Sequence, residues 1–206
     1  MEYSTIDINQ WERKSSFDLF SKVYNPVFSI GVRIKVPSGF VKDLKTVNKK
    51  PFSVILFAVS KACNDIENFR YRLDANGKPI LFSQIDPCWV EQDENSQLVI
   101  KTCDYSEVGS QFYQNLASST VKSIDDKFAH APCISTSTQP WMDLSSLTNI
   151  QFSKEDSICK IIWGRIVDDS FYINIEVNHK FVDGYHISLL MKSIEETLKL
   201  ESINEK

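Results

Sequence analysis

The apolar and polar positions change period several times along this chain, and each change marks an element. Val27–Val36 reads VFSIGVRIKV, with Phe28, Ile30, Val32, Ile34 and Val36 on one side and Ser29, Arg33 and Lys35 on the other. A period of two with one apolar face predicts a half-buried strand. FYINIEV repeats it, setting Phe171, Ile173, Ile175 and Val177 against Tyr172, Asn174 and Glu176. The apolar run ICKIIWGRIV precedes it across DDS, so two neighbouring strands are predicted there. QLVIKT is a further strand, and DANGKP sets Asn76-Gly77, a strong hairpin signal, between two short ones.

Helical spacing takes over elsewhere. QWERKSSFDLFSKV carries Phe17, Leu19, Phe20 and Val23 three and four apart, behind Asp7 or Asn9 as a cap. PFSVILFAVSKACNDI opens on Pro51 and is apolar nearly all round, which predicts a buried helix. Ser106 to Ile124 reads as a helix with Phe112, Leu116 and Ile124 along one side. HISLLMKSIEETLKL places Ile187, Leu190, Met191, Ile194 and Leu198 on one face, with Glu195 and Lys199 paired four apart. Adjacent antiparallel strands with helices between groups of strands predict an α+β fold. The architecture expected is a two-layer α/β sandwich with a mixed, largely antiparallel sheet.

At 206 residues the chain can build one substantial core, and a single domain over 1–206 is expected. The net charge of -4 comes without any basic tract, which argues against a nucleic-acid partner. No apolar run reaches membrane-spanning length, and MEYSTIDINQ lacks the layout of a secretion signal. Cys63, Cys88, Cys103, Cys133 and Cys159 are odd in number and form no C-x-x-C pair. Buried reduced thiols in a cytoplasmic protein are the expectation, with no membrane and no metal.

Two of the three histidines fall in NHKFVDGYH, Asn178 to His186, where a strand ends and a helix begins. Such junctions hold side chains firmly yet leave them reachable. Three readings compete. His179 could be a structural residue bonded to the turn, with Asp183 only capping the last helix. His179, Asp183 and His186 could ligate a metal, although their spacing matches no helical ligand pair and His130 lies far off. His179 could be a general base, since imidazole titrates close to neutral pH.

Together with three further segments, this stretch resembles the chloramphenicol acetyltransferases, whose active-site motif is His-His-x-x-x-Asp-Gly-Phe-His. QWERKSSFDLF resembles the family's Trp-x-Arg-Lys-x-x-Phe helix. SQIDPCWVEQ resembles its mid-chain Asp-Pro strand, and STQPWMDL its Ser-x-x-Pro-Trp segment, all in the same order from residue 3 to about 200. The resemblance implies a coenzyme-A-dependent acyltransferase fold and acetyl transfer from acetyl-CoA to a hydroxyl of chloramphenicol or a related small compound. It implies His179 as the base, its second ring nitrogen pinned by a backbone carbonyl. Ser137 is implied as a hydrogen-bond donor to the oxyanion, and Asp183 as the partner of Arg13, locking the loop. Trp141 would lie along the coenzyme A channel with Ser137, and Leu19 and Phe20 near the acceptor. A homotrimer with sites between subunits is implied as well.

The chain departs from that pattern in four places. Asn178 replaces the first histidine, Lys180 stands where a small residue is usual, and Ile162 where a threonine is common. FSKVYNPVF runs almost directly into the strand, shortening one wall of the expected pocket. Two other functions stay open: a dihydrolipoamide acyltransferase core, though those usually follow lipoyl and linker regions that these residues lack, and a non-catalytic binder of small molecules.

Overall fold

The computed structural model describes residues 1–123, 128–153 and 155–203. In chain order the elements are β1 (Tyr3–Thr5), α1 (Lys14–Phe20), β2 (Val27–Lys35), α2 (Phe40–Thr46), α3 (Pro51–Asp65), β3 (Tyr71–Leu73), β4 (Pro79–Phe82) and β5 (Asp86–Gln92). There follow β6 (Leu98–Thr102), α4 (Gly109–Ala117), β7 (Thr120–Lys122), β8 (Cys133–Gln139), β9 (Cys159–Gly164), β10 (Ser170–Asn178) and α5 (Gly184–Ile203). Seven strands form the main sheet in the order β2-β10-β9-β8-β5-β6-β7, and β1-β4-β3 form a small second sheet. Only β8 runs parallel to its neighbours β5 and β9; every other pairing in the main sheet is antiparallel. The predicted α+β sandwich with a mixed, largely antiparallel sheet is the fold observed.

Alternation decides which face the helices cover. Ile34, Ile161, Trp163, Phe171, Ile173, Ile175 and Val177 are buried in the core with α3 and α5. On those helices Val54, Leu56, Leu190, Ile194 and Leu198 lose all solvent contact. Each such side chain stabilises the fold by about 1.5–3 kcal/mol through burial. The opposite sheet face keeps Ser29, Gly31, Arg33, Ser135, Ser137, Lys160, Asn174 and Glu176, which share rows through the strand register. Tight turns connect the strands: Asp168 and Asp169 both take positive φ in the β9–β10 hairpin, and Gly77, at φ 73, closes the β3–β4 hairpin.

Two helices are shorter than their patterns suggest. Asp7 caps a turn through its Oδ1 and the Asn9 N–H, not a helix, and α1 starts only after Arg13. Trp11 is drawn aside, its indole N–H donating to the Tyr71 hydroxyl at 3.1 Å. The segment from Ser106 is helical only over Gly109–Ala117; Thr120 and Val121 then pair with β6 as an edge strand, and Ile124 lies outside the described residues. All five cysteines are buried and unpaired.

Candidate active site

The chain leaves β10 through a bonded turn. Asn178 accepts the Lys180 N–H on its side chain at 3.0 Å and the Phe181 and Val182 N–H groups on its carbonyl at 3.0 and 3.1 Å. Phe181 drops into the core beside Trp11, Phe17 and Tyr71, and its carbonyl accepts from Asn68 at 2.8 Å. Arg13 grips the loop from outside: Nη1 donates to Asp183 Oδ2 at 3.2 Å and Nε to the Lys180 carbonyl at 3.5 Å. Asp183 Oδ1 accepts the Tyr185 N–H at 3.0 Å, so Asp183 also caps α5. Partial burial pushes the Asp183 carboxyl up, but the Arg13 hydrogen bond and the His186 charge outweigh it and hold it below the usual range. Burial lowers His186, against the opposing pull of the Asp183 charge. Its Nδ1 lies 2.9 Å from Asp183 Oδ1 and 3.2 Å from the Asp183 N–H, and can serve only one of them at a time.

His179 sits at the centre of this turn, its N–H donating to the Pro26 carbonyl at 2.9 Å. The ring is clasped by two phenyl groups: Phe20 stacks on it at 4.0 Å and 13°, and Phe28 lies 4.5 Å away at 38°. Nδ1 is sealed from solvent and has no hydrogen-bond partner among the described residues. Phe20, at the end of α1, and Phe28, on β2, hold the ring between their faces. The ring is half-buried, so Nε2 is the nitrogen left to exchange a proton. His186 is bonded to Asp183, away from that ring, so the three residues do not converge as a metal site would need. Among the described residues, no group of three or more His, Cys, Asp or Glu side chains could hold a metal ion.

Ser137 is elsewhere. It shares a row with Ile162 on β9 and, through Ile162, with Asn174 on β10. Two strand spacings and five residues along β10 separate its Cα from that of His179 by roughly 19 Å. Ser137 faces a groove of about 380 Å³ walled by Val90, Leu98, Ile100, Ile150 and Phe152, with Lys160 and Ile162 beside it. Thr138 points the other way, into a groove of about 440 Å³ on the helix face with Phe52, Ile55, Trp163, Pro140, Lys50 and Arg165. β8 thus runs between two grooves on opposite faces of the sheet. Trp141, just beyond Pro140, is 76% exposed, and Leu19, one residue before Phe20, is 58% exposed.

One chain therefore gathers Arg13, Asp183, His179 and Phe20, and holds Ser137 and Trp141 apart from them. Sequence reasoning did not single out Phe28, Pro26, Lys50, Lys160 or Arg165. Phe28 was visible only as one more apolar position of a strand; the others carry no local signal, because register and packing bring them to the grooves.

The family model described as chloramphenicol acetyltransferase matches residues 1–195. The chain belongs to the chloramphenicol acetyltransferase family. It is accordingly an acyltransferase. A curated chloramphenicol acetyltransferase from Campylobacter coli is 24% identical over 210 residues, spanning 96% of this chain and 99% of that protein. A solved chloramphenicol acetyltransferase superposes with a TM-score of 0.84 at 27% identity, over 96% of this chain and 100% of that one. A dihydrolipoamide acetyltransferase from Azotobacter vinelandii shares the fold at a TM-score of 0.63 and 11% identity, over 90% and 86% of the two chains. The groove on the helix face sets two exposed cations, Lys50 and Arg165, beside the N-terminus of α3, with an apolar lining of Phe52, Ile55 and Trp163.

Proposed function

We propose that this chain is an acetyl-CoA-dependent O-acetyltransferase acting on chloramphenicol or a related small hydroxylated compound, with active sites shared between the subunits of a homotrimer. One observation carries the reading: His179 and Ser137, to which the family resemblance gives the roles of base and oxyanion donor, lie roughly 19 Å apart in one chain. They can meet at a single substrate only if they come from different copies. The whole chain works as one domain, and its five unpaired buried thiols suit the cytoplasm.

Nε2 of His179 takes the proton from the acceptor hydroxyl as that oxygen bonds to the acetyl carbon of the thioester. The partner subunit's Ser137 donates a hydrogen bond to the resulting oxyanion, a contribution of about 3 kcal/mol for a single donor. The carbon–sulfur bond then breaks, and His179 returns its proton to the departing coenzyme A sulfur. Phe20 and Phe28 keep the ring aimed, while Arg13 and Asp183 hold its loop without touching substrate. Leu19 and Phe20 border the acceptor. Trp141 and the groove holding Lys50 and Arg165 take coenzyme A, whose thioester supplies the activated acetyl group.

His179→Ala is expected to abolish coenzyme A release from acetyl-CoA with chloramphenicol, or with another accepted alcohol, while the oligomer keeps its size by light scattering. A folded variant with wild-type turnover would refute the base. Ile162, which puts an apolar side chain in the row beside Ser137, favours one second reading: a relative that binds small molecules without transferring acetyl. That protein would show thermal shifts with hydroxylated compounds and release no coenzyme A.

A further inference from the structure

Lys160 is 3% exposed yet forms part of the wall of the groove that Ser137 faces. It occupies one row with Ser135 on β8 and Glu176 on β10, on the sheet face away from the helices. Nζ donates to Asp156 Oδ2 at 2.6 Å and to Glu176 Oε1 at 3.0 Å. Both carboxylates are satisfied on their other sides. Phe152 N–H and Ile158 N–H donate to Asp156 at 3.0 and 3.2 Å, and Ser29 Oγ donates to Glu176 at 3.0 Å. Two carboxylates around one ammonium exceed the charge needed to neutralise it, so burial of this lysine is fully compensated.

An ammonium carries three N–H donors; two go to the carboxylates, and Nζ otherwise lies over the face of the Phe152 ring, 5.4 Å from its centroid, a far weaker partner than an oxygen. Among the described residues, Lys160 lines the groove and its two carboxylate partners do not. The rest of the wall is mostly apolar, with Val90, Leu98, Ile100, Ile150 and Phe152. Lys160 lies diagonally from Ser137, so their Cα atoms are about 8 Å apart.

We propose that Lys160 is a specificity-determining residue: it selects acceptors with a neutral oxygen, such as a carbonyl, several atoms from the reacting hydroxyl. This rests on the acetyltransferase reading and adds to it the feature by which the pocket chooses its alcohol. A cationic group would face the ammonium, and an anionic one would approach the Asp156 and Glu176 carboxylates behind it. A neutral oxygen takes the remaining N–H at no charge cost, and an acceptor without one leaves that donor with only the Phe152 ring face.

The test compares 5-phenylpentan-1-ol with the same alcohol bearing a ketone at the benzylic carbon. Coenzyme A release is measured for both, and binding of each to the wild-type protein is measured by calorimetry with coenzyme A present. The ketone is expected to be favoured about tenfold or more in kcat/KM and in affinity. In Lys160→Met that ratio is expected to fall to within about threefold of one. Because Lys160→Met strands two carboxylates, Lys160→Met with Glu176→Gln is made alongside it to keep a folded comparison. A wild-type ratio near one, or a ratio that survives in the folded variant, overturns the proposal. If neither alcohol nor chloramphenicol is acetylated but the ketone still binds about tenfold tighter, the transfer reading fails and the role of Lys160 in selection stands.

Discussion

At His179 the decisive physics is what surrounds the ring. Two phenyl faces and a sealed Nδ1 leave the imidazole one productive nitrogen, and the loop beneath it is held by Arg13. The Arg13 side chain is 10% exposed and Asp183 37%, between a surface pair and a buried one. Arg13→Ala should therefore cost about 1–2 kcal/mol, above the surface-pair range, because the bond to Lys180 is lost with it. Urea denaturation would read that loss, and kcat should fall more than KM rises because the base is misplaced while the substrate walls are intact. Acid should loosen the same loop. The Asp183 carboxyl is lowered in the fold, so its contribution is present above the ordinary 3.8 and is lost as pH falls through the lowered value. His186 is also lowered, so stability begins to fall once pH drops below its ordinary 6.5. Asp183→Asn should flatten the lower part of the stability-versus-pH curve and His186→Gln the upper part; a curve unchanged in both variants would dismiss the loop as the acid-sensitive element.

Among the elements, β2 and β10 show what the sequence made legible. Their alternation announced both the strands and the buried face, and nine paired residues hold them in register. Gly31 interrupts the polar face of β2 for a reason that a single sequence does not display. A Cβ there would lie 1.8 Å from the Tyr172 hydroxyl, whose ring crosses the glycine from β10. Gly31→Ala should destabilise the chain by about 1–3 kcal/mol through overpacking, and in a double-mutant cycle with Tyr172→Ala that cost should largely vanish in thermal melts, because the tyrosine ring is what the added Cβ meets. An unchanged cost beside Tyr172→Ala would show that the ring is not the obstacle. Patterning failed where tertiary contacts override local preference. Trp11 leaves the helical pattern to bond Tyr71, so α1 is shorter than its apolar spacing suggests. Thr120 and Val121 continue an apparent helix by spacing but are β-branched, and they close the sheet edge as β7. The site was legible as a set of residue types, His179 with Asp183, Arg13 and Ser137. That one chain does not bring Ser137 to His179 follows only from strand order and register.

For the whole molecule that separation is the central fact. On the proposed reading, a chain with the clasped His179 ring at one end of β10 and the Ser137 groove two strands away contributes half of two sites. Val23 and Tyr24, exposed just after α1, and Val90, Leu98 and Ile150, exposed at the groove, are apolar surface that a neighbouring subunit of the proposed trimer would cover. The most direct measurement is subunit complementation. His179→Ala and Ser137→Ala chains, each nearly inactive alone, are co-expressed in equal amounts and assayed for acetyl transfer. If every site draws His179 from one subunit and Ser137 from the next, the mixed oligomers should recover roughly a quarter of wild-type activity, because each site needs two intact groups drawn independently. Activity no greater than the mean of the two parents would contradict the account.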